Sequence, residues 1–67
     1  MGAVGLLNRV AGKNPNDDGF YILDQSYGNY ALHVKSGAGE SIISARGTAS
    51  ETYYTVQAII KVLEQRN

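Results

Sequence analysis

The sequence predicts an α+β domain. The expected architecture is a three-stranded antiparallel meander (about residues 20–25, 30–36 and 41–46) packed by one C-terminal helix (about 49–65), with a short N-terminal helix or arm. Three observations predict it. Tyr30, Leu32 and Val34 alternate with Ala31, His33 and Lys35, the period-two pattern of a strand with one buried face. Gly37-Ala38-Gly39 interrupts that run before a second extended stretch carrying Ile42 and Ile43, which reads as a hairpin. Thr48-Ala49-Ser50-Glu51 then matches a capping box at the head of an amphipathic helix.

In chain order, Leu6, Leu7 and Val10 have partial helical spacing, diluted by glycines that disfavour a strong helix, so residues 1–12 are expected to form a short helix or a docked arm. Lys13 to Gly19 is a loop, with Pro15, Asn16, Asp17 and Gly19 as its turn residues. Phe20 to Gln25 is the first strand and is apolar on both sides: Phe20 and Ile22 point one way, Tyr21 and Leu23 the other, so cover is expected on both. Ser26 to Asn29 connects it to the second strand, with Gly28 and Asn29 suited to positive φ. A two-residue turn at Ala38-Gly39 pairs Val34 with Ile43; one at Gly37-Ala38 pairs Val34 with Ser41 and Leu32 with Ile43. Both keep Tyr30, Leu32, Val34, Ile43 and Ala45 on the core face. In the C-terminal helix, Ala49, Thr52, Tyr53, Val56, Ile59, Ile60 and Leu63 form the stripe expected to pack on the hairpin.

Length and composition bound the function. A chain of 67 residues makes one domain, 1–67, and hides only about 60% of its unfolded surface, which is marginal for an isolated fold. There is no cysteine, so disulfides and thiolate metal sites are excluded, and one histidine cannot form a histidine cluster. A partner subunit is the support that remains. Six basic and six acidic side chains balance, which gives no general pull toward nucleic acid or an anionic membrane. No apolar run approaches the roughly 20 residues that span a bilayer. Leu6 stands where a myristoylation motif needs serine or threonine, and no secretory signal is evident, so a cytoplasmic location is expected.

The run Gly28-Asn29-Tyr30-x-Leu32-x-Val34-Lys35-x-Gly37-x-Gly39-Glu40-x-Ile42, then Ser44-x-x-Gly47 and a helix start, resembles the small bacterial YegP-like (DUF1508) domains over roughly residues 20 to 63. Phe20 and Ile22 fall where that family has an apolar first strand. Ala38 departs from the family's asparagine, the helix lacks its Glu-Asn-Gly pattern, and the first 19 residues are not covered. The family's biochemical function is unknown. The resemblance implies a strand-strand-strand-helix unit used as tandem copies or dimers, and it carries over no catalytic residue.

Catalytic motifs fail on inspection. Ser41 lacks the glycine that a nucleophile elbow needs at position 43. His33 is expected to face water opposite the core, beside Lys35 and Ser44. Asp17 and Asp18 read as turn formers rather than metal ligands. Gly12-Lys13 is not a phosphate loop, because Leu7 and Asn14 occupy two of its required positions. Gly37-x-Gly39 sits inside a hairpin, not between strand and helix.

The expected function is therefore a small non-enzymatic protein-interaction module, a homodimer, with no cofactor, metal or membrane. Its apolar surfaces are the outer sheet face (Tyr21, Leu23, Ile42) and a helix flank (Tyr54, Ala58, Val62). Either the N-terminal arm covers the first through Leu6, Leu7 and Val10, or a second chain does. The edge strands also offer pairing to a partner. Two alternatives stand beside this reading. One is a single-stranded nucleic-acid binder using His33, Lys35 and Arg46 on the outer sheet face, with Tyr21 for stacking. The other is a phage- or mobile-element-encoded inhibitor of a heterologous host protein.

Overall fold

The structure, a computed structural model, describes residues 2–66. Met1 of the expected arm and Asn67 at the end of the expected 1–67 domain lie outside the described residues. The elements are α1 (Ala3–Ala11), β1 (Tyr21–Ser26), β2 (Asn29–Ser36), β3 (Gly39–Ile42) and α2 (Ala49–Gln65). The strands form one antiparallel sheet in the order β1-β2-β3. The fold is α+β, as expected, with both helices on one face of the sheet.

The N-terminal segment is an ordered helix. Val4 and Leu7 are buried against α2, Ala3 and Val10 pack at their edges, and Leu6 stays exposed. The amides of Gly12 and Lys13 reach back to the carbonyls of Arg9 and Asn8 at 3.1 and 2.9 Å, a Schellman ending that satisfies the last turn. Of the two covers expected for Tyr21 and Leu23, the arm supplies one: Leu7 and Val10 share a cluster with them, on the helix-facing side rather than an outer face, and Leu6 takes no part. The helix lies in the same layer as α2 because its apolar stripe finds Leu32, Val56 and Ile60 there.

Register decides which side chains meet that layer. Leu23 pairs with Leu32, Tyr21 with Val34 and Gln25 with Tyr30, so these six share the helix-facing side. Ile22, Asp24, Ala31 and His33 share the other side. Tyr21 and Leu23 therefore pack against the core, which corrects their expected place on the outer face. The apolar pattern of the first strand did not say which side the helices would take.

Both hairpin turns have two residues. Gly37 has φ +58° and Ala38 an ordinary negative φ, the arrangement of a type II′ turn, so Ser36 pairs with Gly39 and Val34 with Ser41. In the other turn Tyr27 and Gly28 both have positive φ, 54° and 74°, as a type I′ turn requires. Asn29 is already in strand, paired with Ser26, so the positive φ expected of it falls on Tyr27 instead. Left-handed backbone costs a side-chain-bearing residue about 1–2 kcal/mol.

The third strand is shorter than expected and lies earlier in the chain, at 39–42 rather than 41–46. The amide of Ile43 still donates to the Leu32 carbonyl at 2.8 Å, but the Leu32 amide donates to the Ser44 hydroxyl oxygen at 3.0 Å in place of a backbone carbonyl. The chain bulges at this point and rejoins β2 through a Tyr30–Gly47 bridge with both bonds at 2.8 Å. Ile43 and Ala45 are exposed as a result, not on the core face.

Helix α2 opens with the expected capping box. The Thr48 hydroxyl accepts from the Glu51 amide at 3.1 Å, and the Glu51 carboxylate accepts from the Thr48 amide at 2.9 Å. Thr52, Val56 and Ile60 are buried, while Ile59 and Leu63 pack at the edge of the core. Leu7, Leu32 and Val56 are fully buried, and burial of each stabilises the fold by about 1.5–3 kcal/mol. Ala49 and Tyr53, expected on the buried stripe, are exposed instead, because β3 ends before it reaches the first turns of α2.

Candidate interaction surface

The face of the sheet turned away from the helices carries a compact charge cluster. The outward side chains of β2 place His33 between Asp24 of β1 and Glu40 of β3. Its Nδ1 lies 2.9 Å from Glu40 Oε1 and its Nε2 lies 3.7 Å from Asp24 Oδ2. Both ring nitrogens thus face carboxylates of this chain. Ser26 donates to Asp24 at 3.0 Å, and Arg46 pairs with the same carboxylate. The Ser26 hydroxyl, with the Arg46 guanidinium beside it, holds the Asp24 carboxyl below its ordinary range against a partial desolvation that works the other way. Lys35 reaches the Gly37 carbonyl at 3.4 Å. Among the described residues no three histidine or carboxylate side chains are grouped to hold a metal.

Arg46 also holds the end of the first hairpin. Its Nη1 donates to the Ser26 carbonyl at 3.0 Å and the Asn29 carbonyl at 3.5 Å, the two residues that flank the Tyr27-Gly28 turn. Asp18 makes a comparable tie at the other end of the sheet, where its carboxylate accepts from the Gly37 amide at 3.1 Å. Asp17 is a turn former, accepting from the Asn14 amide at 2.8 Å. Ile42 stands beside the charge cluster and is 70% exposed.

The second surface lies on α2. Tyr54 and Val62 are 70% and 57% exposed, and Ala58 between them is exposed too. The line Tyr54-Ala58-Val62 is offset by two residues, about 200°, from the buried line Thr52-Val56-Ile60, so the helix is apolar on two opposite sides. At its N-terminal end the outward line opens into a groove of about 370 Å³ lined by Tyr30, Ala49, Ser50, Tyr53 and Tyr54. Tyr53 and Tyr54 meet edge to face, with centroids 6.0 Å apart and planes at 67°, which sets one wall of the groove. Tyr30 enters it from β2.

The structure therefore keeps Tyr54, Ala58, Val62 and Ile42 available, and turns Tyr21 and Leu23 inward. His33 and Lys35 share the outer face as expected, with Arg46 against Asp24 and without Tyr21 beside them, but the His33 side chain is only 16% exposed between its two carboxylates rather than turned to water. Three aromatic residues escaped the sequence reading: Tyr30 and Tyr53, taken for core, and Tyr27, which is 96% exposed at the hairpin tip. The signal for Tyr27 was present in the Tyr-Gly dipeptide between two strands, which places the aromatic at the first position of a tight turn.

No protein-family model matches the chain, and no curated protein or solved structure matches it.

Proposed function

We propose that this chain is a non-enzymatic protein-interaction module that associates with a second copy of itself. The observation that carries the reading is the outward side of α2, where Tyr54, Val62 and Tyr53 remain 70%, 57% and 43% exposed although the inward side already builds the core. A helix of a self-sufficient monomer is polar on that side. Tyrosine is enriched at interfaces because it offers large contact area at low entropic cost. Zero formal net charge removes the repulsion that keeps copies apart. The resemblance to YegP-like domains, which occur as tandem copies or dimers, leans the same way.

The nucleic-acid alternative is the weaker one. Affinity for a phosphate backbone scales with the number of phosphates neutralised, and Arg46 and His33 already sit against Asp24 and Glu40. Sedimentation equilibrium from about 10 to 500 µM, the range in which a small interface associates, tests the proposal. The expected result is a concentration-dependent rise from 7.2 kDa toward twice that mass. A single 7.2 kDa species across the whole range overturns self-association.

A further inference from the structure

The hairpin tip breaks a local rule with no return inside the fold. A type I′ turn favours asparagine, aspartate or glycine at its first central position, because the backbone there is left-handed. This chain places Tyr27 there, at φ 54°, and leaves the ring 96% exposed. The ring touches almost nothing of its own chain, so packing within the monomer does not offset the strain. Such uncompensated outliers concentrate at binding sites.

The backbone beside the tip is also tied down. Arg46 bonds the carbonyls on both sides of the turn and the Asp24 carboxylate below it. With the backbone of the turn tied on both sides, binding at the tip orders only the Tyr27 side chain. Three residues along the chain, Tyr30 lines the tyrosine groove, and the Tyr30–Gly47 bridge joins it to the start of α2. Tip and groove thus lie at the same end of the molecule.

We infer that the tyrosine groove receives Tyr27 of a second copy, and that a two-fold axis at this end makes the exchange reciprocal. The inference rests on the self-association proposed above and names its contact. The groove, at about 370 Å³, is roomy enough for a phenol ring, and three of its five lining residues are tyrosines. Each inserted tyrosine buries about 150–250 Å², and the walls it covers a similar area. Two such contacts total roughly 600–1,000 Å², below the ~1,200 Å² at which stable interfaces begin and in the range of weak, transient ones, so the exchange is expected to be weak and reversible.

Tyr27→Asn tests this cleanly, because Asn-Gly is the preferred dipeptide for the turn. At a concentration where the wild-type chain is monomeric, the variant is expected to melt about 3–6 °C higher. Its self-association is expected to weaken tenfold or more. Tyr54→Ala is expected to weaken association as well, and the Tyr27→Asn/Tyr54→Ala pair no more than the stronger single change, since the two rings meet in the dimer. If the wild type associates and Tyr27→Asn does so equally tightly, or if the two losses simply add, the tip-in-groove contact is overturned while self-association stands. If the wild type is monomeric throughout, both fall.

Discussion

Asn8 of α1 and Tyr21 of β1 are bonded as two residues of neighbouring strands would be. The Asn8 side-chain amide donates to the Tyr21 carbonyl at 2.9 Å and accepts from the Tyr21 amide at 2.7 Å. β1 is an edge strand, and the backbone groups of Tyr21 point away from β2. A helix side chain therefore closes the sheet edge where a further strand would otherwise pair, and it ties the N-terminal helix to the sheet. Asn8 is only 7% exposed, so water replaces these bonds poorly.

Asn8→Leu removes both partners at similar volume and is expected to cost about 2–3 kcal/mol in urea denaturation, the penalty of leaving buried backbone groups unpaired. Asn8→Asp keeps the acceptor but sets a carboxylate oxygen against the Tyr21 carbonyl. Protonation restores a donor, so this variant is expected to gain stability relative to wild type as the pH falls. A loss below about 0.5 kcal/mol for Asn8→Leu would mean that the edge is solvated after all.

A second side chain stands in for backbone at the other edge of β2. The Ser44 hydroxyl accepts the Leu32 amide at 3.0 Å where β3 leaves the ladder, and Leu32 itself is fully buried. Ser44→Ala is expected to destabilise the fold by about 1–2 kcal/mol. Hydrogen exchange locates the effect: the Leu32 amide should exchange faster, while the Tyr30 amide, bonded to Gly47 at 2.8 Å, should keep its protection.

Acid should weaken the fold through two identifiable carboxyls. The Thr48 amide and then its hydroxyl lower the Glu51 carboxyl from an ordinary 4.5, and the Ser26 hydroxyl followed by Arg46 lowers Asp24 from 3.8. Each therefore holds its proton less tightly folded than unfolded. The stability they contribute is complete above the ordinary values and is lost as the pH drops through the lowered ones. Urea midpoints taken from neutral pH down to about pH 3 should fall below pH 5, and Glu51→Gln should flatten part of that fall. Thr48→Ala removes the cap at every pH and is expected to cost about 1 kcal/mol.

These relationships explain which features were legible beforehand. The capping box could be read because its signal is local: Thr48 and Glu51 are three residues apart, and the bonds form within one turn. The β2 face could be read because Tyr30, Leu32 and Val34 alternate cleanly. The inward turn of Tyr21 and Leu23 could not, because the first strand is apolar on both sides and only its pairing with Leu32 and Val34 selects the face. The short third strand depends on a Ser44–Leu32 contact twelve residues apart, and the role of α1 depends on an asparagine thirteen residues from its partner. Tyr27 escaped notice because the residues that usually take left-handed backbone, Gly28 and Asn29, stood beside it.

In the nucleic-acid alternative Arg46 offers charge to a phosphate backbone, whereas its geometry assigns it a structural task. Beyond its pairing with Asp24, it donates to the Ser26 and Asn29 carbonyls, which a lysine's single ammonium cannot span in the same way. Arg46→Lys is expected to destabilise the chain by about 1 kcal/mol, with Arg46→Ala somewhat worse. The carbonyl bonds are short-range and directional, whereas an exposed ion pair is screened by salt. Raising the salt to about 0.5 M should therefore erase only a minor part of the difference between wild type and Arg46→Lys. The Tyr30 and Gly47 amides, which close this end of the sheet, should lose exchange protection in both variants, while the Lys35 amide, bonded to Phe20 at 2.8 Å near the opposite end, should keep it. Complete loss of the difference in high salt would return Arg46 to the role of a simple surface charge.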